Sequence, residues 1–271
     1  MERLSSNSIV DSEIYKRPEE ALDKLVNSLD LPKEIAPAFY TYYDEIKNAE
    51  NPKDDYYQDL VSPILDFLLS KGRNRESGLI FNLHRTLTQF RGYGANESAS
   101  SDVDTMFDDK FEIPKRGNIV IDQFVVRNLP AVVRLCQQRG IDLRRIKVRA
   151  PEAIFAAQLM GMSPDKRAEF EDACAQLDKK QFLIKNVGHV HEIDVPGKIA
   201  LLLSPRTLPI YPEIHKSTES ATISKYRNWV SKMASKTVKG GRMLINTTIV
   251  EEFRPAHVER SQGKRNLAKI S

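Results

Sequence analysis

Cysteine, tryptophan and long apolar runs are all scarce in this sequence. Its 271 residues include two cysteines and one tryptophan. Cys136 and Cys174 stand far apart and form no C-x-x-C pair, so a cysteine-based zinc site is not expected. We interpret both cysteines as small buried hydrophobic residues in a reducing compartment, rather than as a disulfide or a reactive thiol.

Apolar runs are too short for a membrane protein. None approaches the roughly 20 residues that cross a bilayer, and the longest candidate, 199–203, has only the length of a strand. The first residues lack the apolar segment of a secretory signal. We therefore expect a cytoplasmic protein, or one held within a nucleoprotein particle, with no membrane partner.

Motifs of common nucleotide-binding and catalytic sites are missing as well. The sequence contains no G-x-x-x-x-G-K-[ST], G-x-G-x-x-G, G-x-S-x-G or H-E-x-x-H pattern. The RGYG stretch at 91–94 has two glycines but lacks a strand-loop-helix setting, so we interpret it as a mobile connector. We expect no catalytic residue, no cofactor and no metal.

Charge is distributed very unevenly along the chain. The net charge is only +4, yet residues 1–60 hold 7 Lys and Arg against 14 Asp and Glu. Residues 115–271 hold 28 Lys and Arg against 15 Asp and Glu. An acidic front and a basic back indicate a polyanionic partner, and they allow the front of one molecule to attract the back of another.

The hydrophobic pattern predicts a mainly α-helical fold. Apolar residues recur at helical spacing after Pro18 and again up to residue 90, and Ser163-Pro164 begins a helix that carries Phe170, Ala173 and Cys174 on one face. The region 181–214 is rich in β-forming residues and predicts a small sheet or hairpin. We thus expect a helical N-terminal lobe and a basic C-terminal lobe containing a small β element. The predicted segments are a flexible arm (1–17), a helical lobe (18–91), an acidic linker loop (92–117), a basic lobe (118–253) and a flexible basic tail (254–271).

An arginine-rich stretch follows the linker. Arginine predominates over lysine there, and its planar guanidinium can hold a phosphate through two hydrogen bonds. An extended segment would place Arg145, Lys147 and Arg149 on one side. The alternative is an ordinary solvated surface. We assign phosphate binding to Arg134, Arg139, Arg144, Arg145, Lys147 and Arg149.

A second cluster mixes cations with aromatic residues. Such a mixture suits single-stranded nucleic acid, because cations follow the backbone while rings stack on bases. The same spacing also fits a core face, with Tyr226, Val230 and Met233 pointing inward and the tryptophan as an anchor. The candidate binding residues are Lys225, Arg227, Trp229, Lys236, Lys239 and Arg242.

The string His189-Val190-His191 is the one catalytic-looking pattern. On a strand both imidazoles would share a face and could bind a metal ion. No second His or Asp cluster at a familiar spacing supplies the remaining ligands.

These observations favour a nucleic-acid-binding assembly protein of nucleocapsid or coat type. We expect it to grip single-stranded RNA through the phosphate backbone with little sequence specificity, and to self-associate through its N-terminal helices. One alternative is a metal-dependent enzyme that acts on nucleic acid or a phosphorylated substrate through His189 and His191. The other is a helical scaffold that binds an acidic protein.

Overall fold

A seven-stranded sheet forms the centre of the computed structural model, which describes residues 8–34, 36–37, 61–91, 111–204, 219–245, 248–253 and 268–270. The spatial order of the strands is β3-β2-β1-β4-β5-β6-β7. The strands are β1 (Asn118–Asp122), β2 (Ile146–Pro151), β3 (Phe182–Lys185), β4 (Ile199–Ser204), β5 (Thr237–Ile245), β6 (Thr248–Phe253) and β7 (Ala268–Ile270).

The five strands from β3 to β5 run parallel, whereas β6 is antiparallel to β5. The fold is therefore α/β, and the prediction of a mainly α-helical fold with a small β element is wrong. The error has a physical cause. Strands of a parallel sheet are buried on both faces, so they appear in the sequence as short apolar runs without the period-two alternation that identifies a strand.

Helices follow β1, β2 and β4, whereas only a short 3-10 helix lies between β3 and β4. Pro18 and Pro164 each begin a helix, where the missing N–H of proline loses no hydrogen bond. The helix at Pro164 buries Phe170, Ala173 and Cys174, as predicted. The helices are α1 (Glu13–Lys16), α2 (Pro18–Ser28), α3 (Ser62–Ser70), α4 (Asn74–Arg91), α5 (Leu129–Gln138), α6 (Glu152–Met160), α7 (Pro164–Ala175) and α8 (Glu219–Lys236).

The sheet is covered on both faces. One hydrophobic cluster joins α5 and α7 to Ile119 and Ile121 of β1. Another joins α8 to Val120, the β1 residue between them, through Trp229 and Met233. Because successive residues of a strand point to opposite faces, the two clusters lie on opposite sides of the sheet.

The N-terminal helices pack against α6. Leu22 of α2, Ile64 of α3 and Ile80 of α4 are buried in one cluster with Ile154 of α6. The described apolar residues of this cluster are therefore buried within the chain itself.

The region 181–214 was predicted to form a small sheet or hairpin, and its described part, 181–204, instead contributes two separated strands to the large sheet. It contains β3 and β4, but β2 and β1 lie between these two strands in the sheet. The segment between them includes a 3-10 helix, Val190–Glu192, where the sequence predicts a strand. Residues 205–214 lie outside the described part of the chain.

The predicted arm, linker and tail are only partly described. In the arm, Ile9 and Tyr15 are buried in the cluster that holds α5 and α7. Residues 111–117 of the linker lead into β1, and residues 268–270 of the tail form β7 beside β6. Residues 1–7, 92–110 and 254–267 lie outside the description, and the segment boundaries stay a prediction. None of the described helices combines the length and the apolarity needed to cross a bilayer.

Candidate nucleic-acid interface

Cations stand at the start of each of the five parallel strands. Because the strands are parallel, their starts lie along one edge of the sheet, which we call the amino-end edge. It is formed by the following side chains, which lie just before a strand or among its first residues: Lys115, Arg116, Arg144, Arg145, Lys147, Lys179, Lys180, Lys198, Lys236 and Lys239.

Hydrogen bonds tie neighbouring strand starts together. Gln181, before β3, donates from Nε2 to the carbonyl of Leu143, before β2, at 2.8 Å. The backbone N–H of Asn118 in β1 donates to the carbonyl of Lys198, before β4, at 2.7 Å. The Nζ of Lys198 donates in turn to the carbonyl of Ser235 in α8 at 3.1 Å. The edge is therefore one continuous surface rather than a set of separate loops.

Two of the predicted arginines hold Phe111, which begins the segment leading to β1. The Nη1 of Arg139 donates to the Phe111 carbonyl at 3.0 Å. The guanidinium carbon of Arg242 lies 4.0 Å from the centroid of the Phe111 ring, a cation–π contact. Both arginines are half-buried, so their main contacts are with the protein itself.

Arg145 holds the other end of the same segment. Its Nε donates to the Gly117 carbonyl at 2.8 Å, and its Nη2 donates to the Pro114 carbonyl at 2.5 Å. Between these two anchored carbonyls stand Lys115 and Arg116, whose side chains are exposed. Arg145 thus positions two cations that lie outside the predicted arginine-rich stretch.

Positive charge exceeds negative charge along the edge. Arg144 pairs with Asp142 at 2.8 Å and Lys180 pairs with Asp178 at 3.2 Å, but both cations are largely exposed, so the pairs are weak. The other exposed cations of the edge form no ion pair with any residue that the structure describes. They are Lys115, Arg116, Lys179, Lys198 and Lys239.

Like charges come close together where β2 and β3 begin. Burial lowers the pKa of Lys147, and the positive charge of Lys180 lowers it further. A bound anion would relieve this repulsion.

Lys236 makes its hydrogen bonds within the chain. Its Nζ donates to the Asp194 carboxylate at 2.8 Å and to the Val195 carbonyl at 2.7 Å, while Lys232 binds the same carboxylate at 3.0 Å. The hydrogen bonds from Lys236 and Lys232 hold the pKa of Asp194 down at about 2. Asp194 therefore stays ionised and partly neutralises this end of the edge.

Two predicted binding residues are buried. Arg149 is 0% exposed, and its Nε and Nη2 donate to the two carboxylate oxygens of Asp122 at 2.7 and 2.6 Å. Trp229 is 5% exposed and packs in the core between α8 and the sheet, which is the core alternative that the spacing left open. We leave both out of the interface because neither can reach a nucleic acid from the core.

The remaining predicted residues lie elsewhere. Arg227 is exposed in the middle of α8, and Arg134 is exposed on α5, where it lines a cavity. Lys225 belongs to α8, but its side chain lies outside the described residues. Of the twelve predicted residues, the structure places Arg144, Arg145, Lys147, Lys236 and Lys239 on the amino-end edge, with Arg139 and Arg242 supporting it.

The two histidines make contacts with each other and with the core. His189 precedes the 3-10 helix and is 4% exposed, and its Nδ1 accepts the backbone N–H of His191 at 3.1 Å. The His191 ring stacks on Trp229 with centroids 4.1 Å apart. Burial, together with the nearby charge of Arg149, lowers the pKa of His189 to about 3, so its ring is neutral near pH 7.

Among the described residues, no further metal ligands accompany the histidine pair. In these parts of the chain, no group of three or more His, Cys, Asp or Glu side chains could share a metal ion. Cys136 and Cys174 are free and buried, as predicted, and burial raises the pKa of the Cys136 thiol to about 11.

Sequence reasoning missed half of the amino-end edge. Lys115, Arg116, Lys179, Lys180 and Lys198 stand in pairs or singly, and in the linear sequence they do not form a run. Each stands shortly before a short apolar run, and this position would have identified them once those runs were assigned to one parallel sheet. Comparison of the chain with protein-family models, with curated proteins and with solved structures gives no match in any of the three.

Proposed function

We propose that the protein binds single-stranded nucleic acid, with RNA as the expected polymer, through phosphate contacts along the amino-end edge. The observation that carries this proposal is the presence of cations at the start of all five parallel strands, which the topology brings to one edge. Contacts to phosphate carry no base information, so the binding has little sequence preference.

The dimensions of the edge support a strand rather than a single phosphate. Neighbouring strands lie about 4.8 Å apart, so the four spacings from β3 to β5 extend over roughly 19 Å. This length is larger than one phosphate group, so the edge can contact more than one phosphate of a strand, as grooves that follow a single-stranded backbone do. Lysine side chains suit such a role because they are flexible and can adapt to successive phosphates.

Assembly into a nucleoprotein particle is the setting in which we propose that this binding acts. Residues 1–60 are acidic and residues 115–271 are basic, which favours contact between the front of one copy and the back of the next. The described buried apolar residues of α2, α3 and α4 already form one cluster with α6 of the same chain. Contacts between copies would therefore use charged surfaces rather than those faces.

The test is a filter-binding titration of a uridine oligonucleotide over a salt series. The variant K115Q/K198Q/K239Q removes three exposed cations from the starts of three strands. Each phosphate contact on a single strand contributes about −0.7 to the slope of log affinity against log salt. We expect the variant to lose about 2 from that slope and to bind at least about tenfold more weakly at low salt.

A matched control separates the effect of the amino-end edge on binding from the effect of net charge. The variant K16Q/K24Q/K33Q also removes three exposed lysines, from the N-terminal part of the chain, and it has the same net charge as the edge variant. Its binding should follow that of the unaltered protein. Equal loss in both variants, or binding of the unaltered protein that does not respond to salt, would contradict the proposal.

A further inference from the structure

Arginine side chains attach the segment that leads into β1, residues 111–117, to three other parts of the fold. We call it the pre-β1 segment. Arg139, which follows α5, donates to the carbonyl of its first residue, Phe111, at 3.0 Å. Arg242 of β5 places its guanidinium carbon 4.0 Å from the centroid of the Phe111 ring. Arg145, which precedes β2, donates to two carbonyls nearer β1.

Contacts with β4 and its approach fix the end of the pre-β1 segment. Gly117 stands so close to β4 that a Cβ atom on it would lie 2.8 Å from the Ala200 nitrogen. The next residue, Asn118, donates from its backbone N–H to the Lys198 carbonyl at 2.7 Å and from Nδ2 to the Pro196 carbonyl at 2.6 Å. These contacts, all within the chain, define the conformation of the segment.

The middle of the segment presents two cations to solvent. Lys115 and Arg116 are exposed, and neither forms an ion pair with a residue that the structure describes. The carbonyls on either side of them, those of Pro114 and Gly117, accept hydrogen bonds from Arg145 at 2.5 and 2.8 Å. The positive guanidinium offsets the partial negative charge of both oxygens, so a phosphate beside the two cations meets little repulsion from this backbone.

Two features distinguish the pre-β1 segment from the rest of the amino-end edge. Lys115 and Arg116 are adjacent, whereas Lys198 and Lys239 stand singly and Lys180 is paired with a carboxylate. One of the two adjacent cations is an arginine, whose planar guanidinium can hold a phosphate through two hydrogen bonds.

We propose that the pre-β1 segment is the principal phosphate clamp of the amino-end edge and that Arg145 is its positioning residue. The inference rests on the proposed function, because it names the part of the edge that grips the nucleic acid most strongly. Lys115 and Arg116 contact phosphate, and Arg145 acts through them by holding the backbone on both sides. Since this backbone is already ordered, binding loses less conformational entropy there than at separate lysines.

Filter binding of a uridine oligonucleotide to the variant K115Q/R116Q tests the clamp. The matched control, K179Q/K198Q, also removes two exposed cations from the amino-end edge and has the same net charge. At low salt we expect K115Q/R116Q to bind at least about twentyfold more weakly than the unaltered protein, and the control at most about fivefold more weakly.

The variant Arg145→Lys separates positioning from direct contact with phosphate. It keeps the positive charge, but its single nitrogen replaces the two that bind the carbonyls of the segment. We expect R145K to weaken binding at least about fivefold, because the clamp is no longer preorganised. In the K115Q/R116Q background the same change should alter binding by less than about twofold, because the cations that Arg145 positions are absent. Arg144→Lys, at an exposed arginine beside it, should bind like the unaltered protein.

The outcomes separate this inference from the proposed function. Failure of the unaltered protein to bind, or binding that does not respond to salt, contradicts the proposed function itself. When the unaltered protein binds and responds to salt, the clamp is overturned if K115Q/R116Q loses no more affinity than K179Q/K198Q. The positioning role is overturned if R145K binds as tightly as the unaltered protein. It is also overturned if R145K weakens binding equally in both backgrounds, which is the result expected of direct contact or of general damage to the fold.

Discussion

Arg149 shows how one residue of a basic run can serve the core instead of the surface. Its Nη1 donates to the Ile193 carbonyl at 2.7 Å. The Asp122 carboxylate that it binds also accepts a hydrogen bond from the Oγ of Ser204, at 2.7 Å. These residues join β1, β2 and β4 at their carboxyl ends. Open α/β sheets commonly bind ligands at such a point, where the strand order changes direction. Here a buried ion pair occupies it.

His189 makes the stability of the protein sensitive to acid. Its pKa is about 3 in the folded chain but about 6.5 when unfolded, so between these values only the unfolded state takes up the proton. The free energy of unfolding should therefore fall as the pH drops from 6 to 4.5, with a contribution from this group of up to about 1.4 kcal/mol per pH unit. Urea denaturation over this range measures the fall.

The variant His189→Asn isolates that contribution. Its amide oxygen can still accept the backbone N–H of His191, while the titrating ring is gone. Other groups titrate alike in both proteins, so the difference in slope belongs to His189. Equal slopes for the two proteins would show that the buried ring is not the cause.

At the scale of elements, the sequence predicted the helices well and the strands poorly. Helices such as α4 and α7 carry apolar residues at a spacing of three and four, and that period survives in the linear sequence. β4 is buried at all six positions, so its sequence has no alternating pattern that reveals a strand. Neighbours in a parallel sheet are also distant along the chain, and spacing alone cannot pair them.

Gly117, at the start of β1, is a second element-scale test. It has φ +96°, and a Cβ atom there would lie 2.8 Å from the backbone nitrogen of Ala200. Gly72 also has a positive φ, +69°, but a Cβ atom there would meet nothing within 4 Å. We expect Gly72→Ala to cost about 1 kcal/mol of stability and Gly117→Ala to cost roughly 1–2 kcal/mol more, because backbone cannot move aside easily.

Urea denaturation of the two glycine variants provides the comparison. Each variant is the other's control, since both introduce the same methyl group at a positive φ. If both lose the same stability, the close approach between Gly117 and Ala200 does not constrain the start of β1.

At the scale of the molecule, composition predicts a polyanionic partner but does not predict which surface would bind it. The excess of cations after residue 115 indicates a polyanion whatever the fold. The location that we propose depends on the parallel topology. It aligns cations at the starts of strands, such as Lys115, Lys179 and Lys198, that lie up to 83 residues apart in the chain. Arg149 and Trp229 were assigned to the interface because burial cannot be read from a local charge pattern.

Lysine footprinting with and without bound RNA tests the account most directly. The protein is acetylated under limiting conditions in the presence and absence of a uridine oligonucleotide, and mass spectrometry measures the modification of each lysine. We predict that RNA protects Lys115, Lys179, Lys198 and Lys239, while the exposed lysines of the N-terminal helices are modified at the same rate in both samples. The account would be contradicted if RNA protected only other lysines while those of the amino-end edge were acetylated as in the free protein.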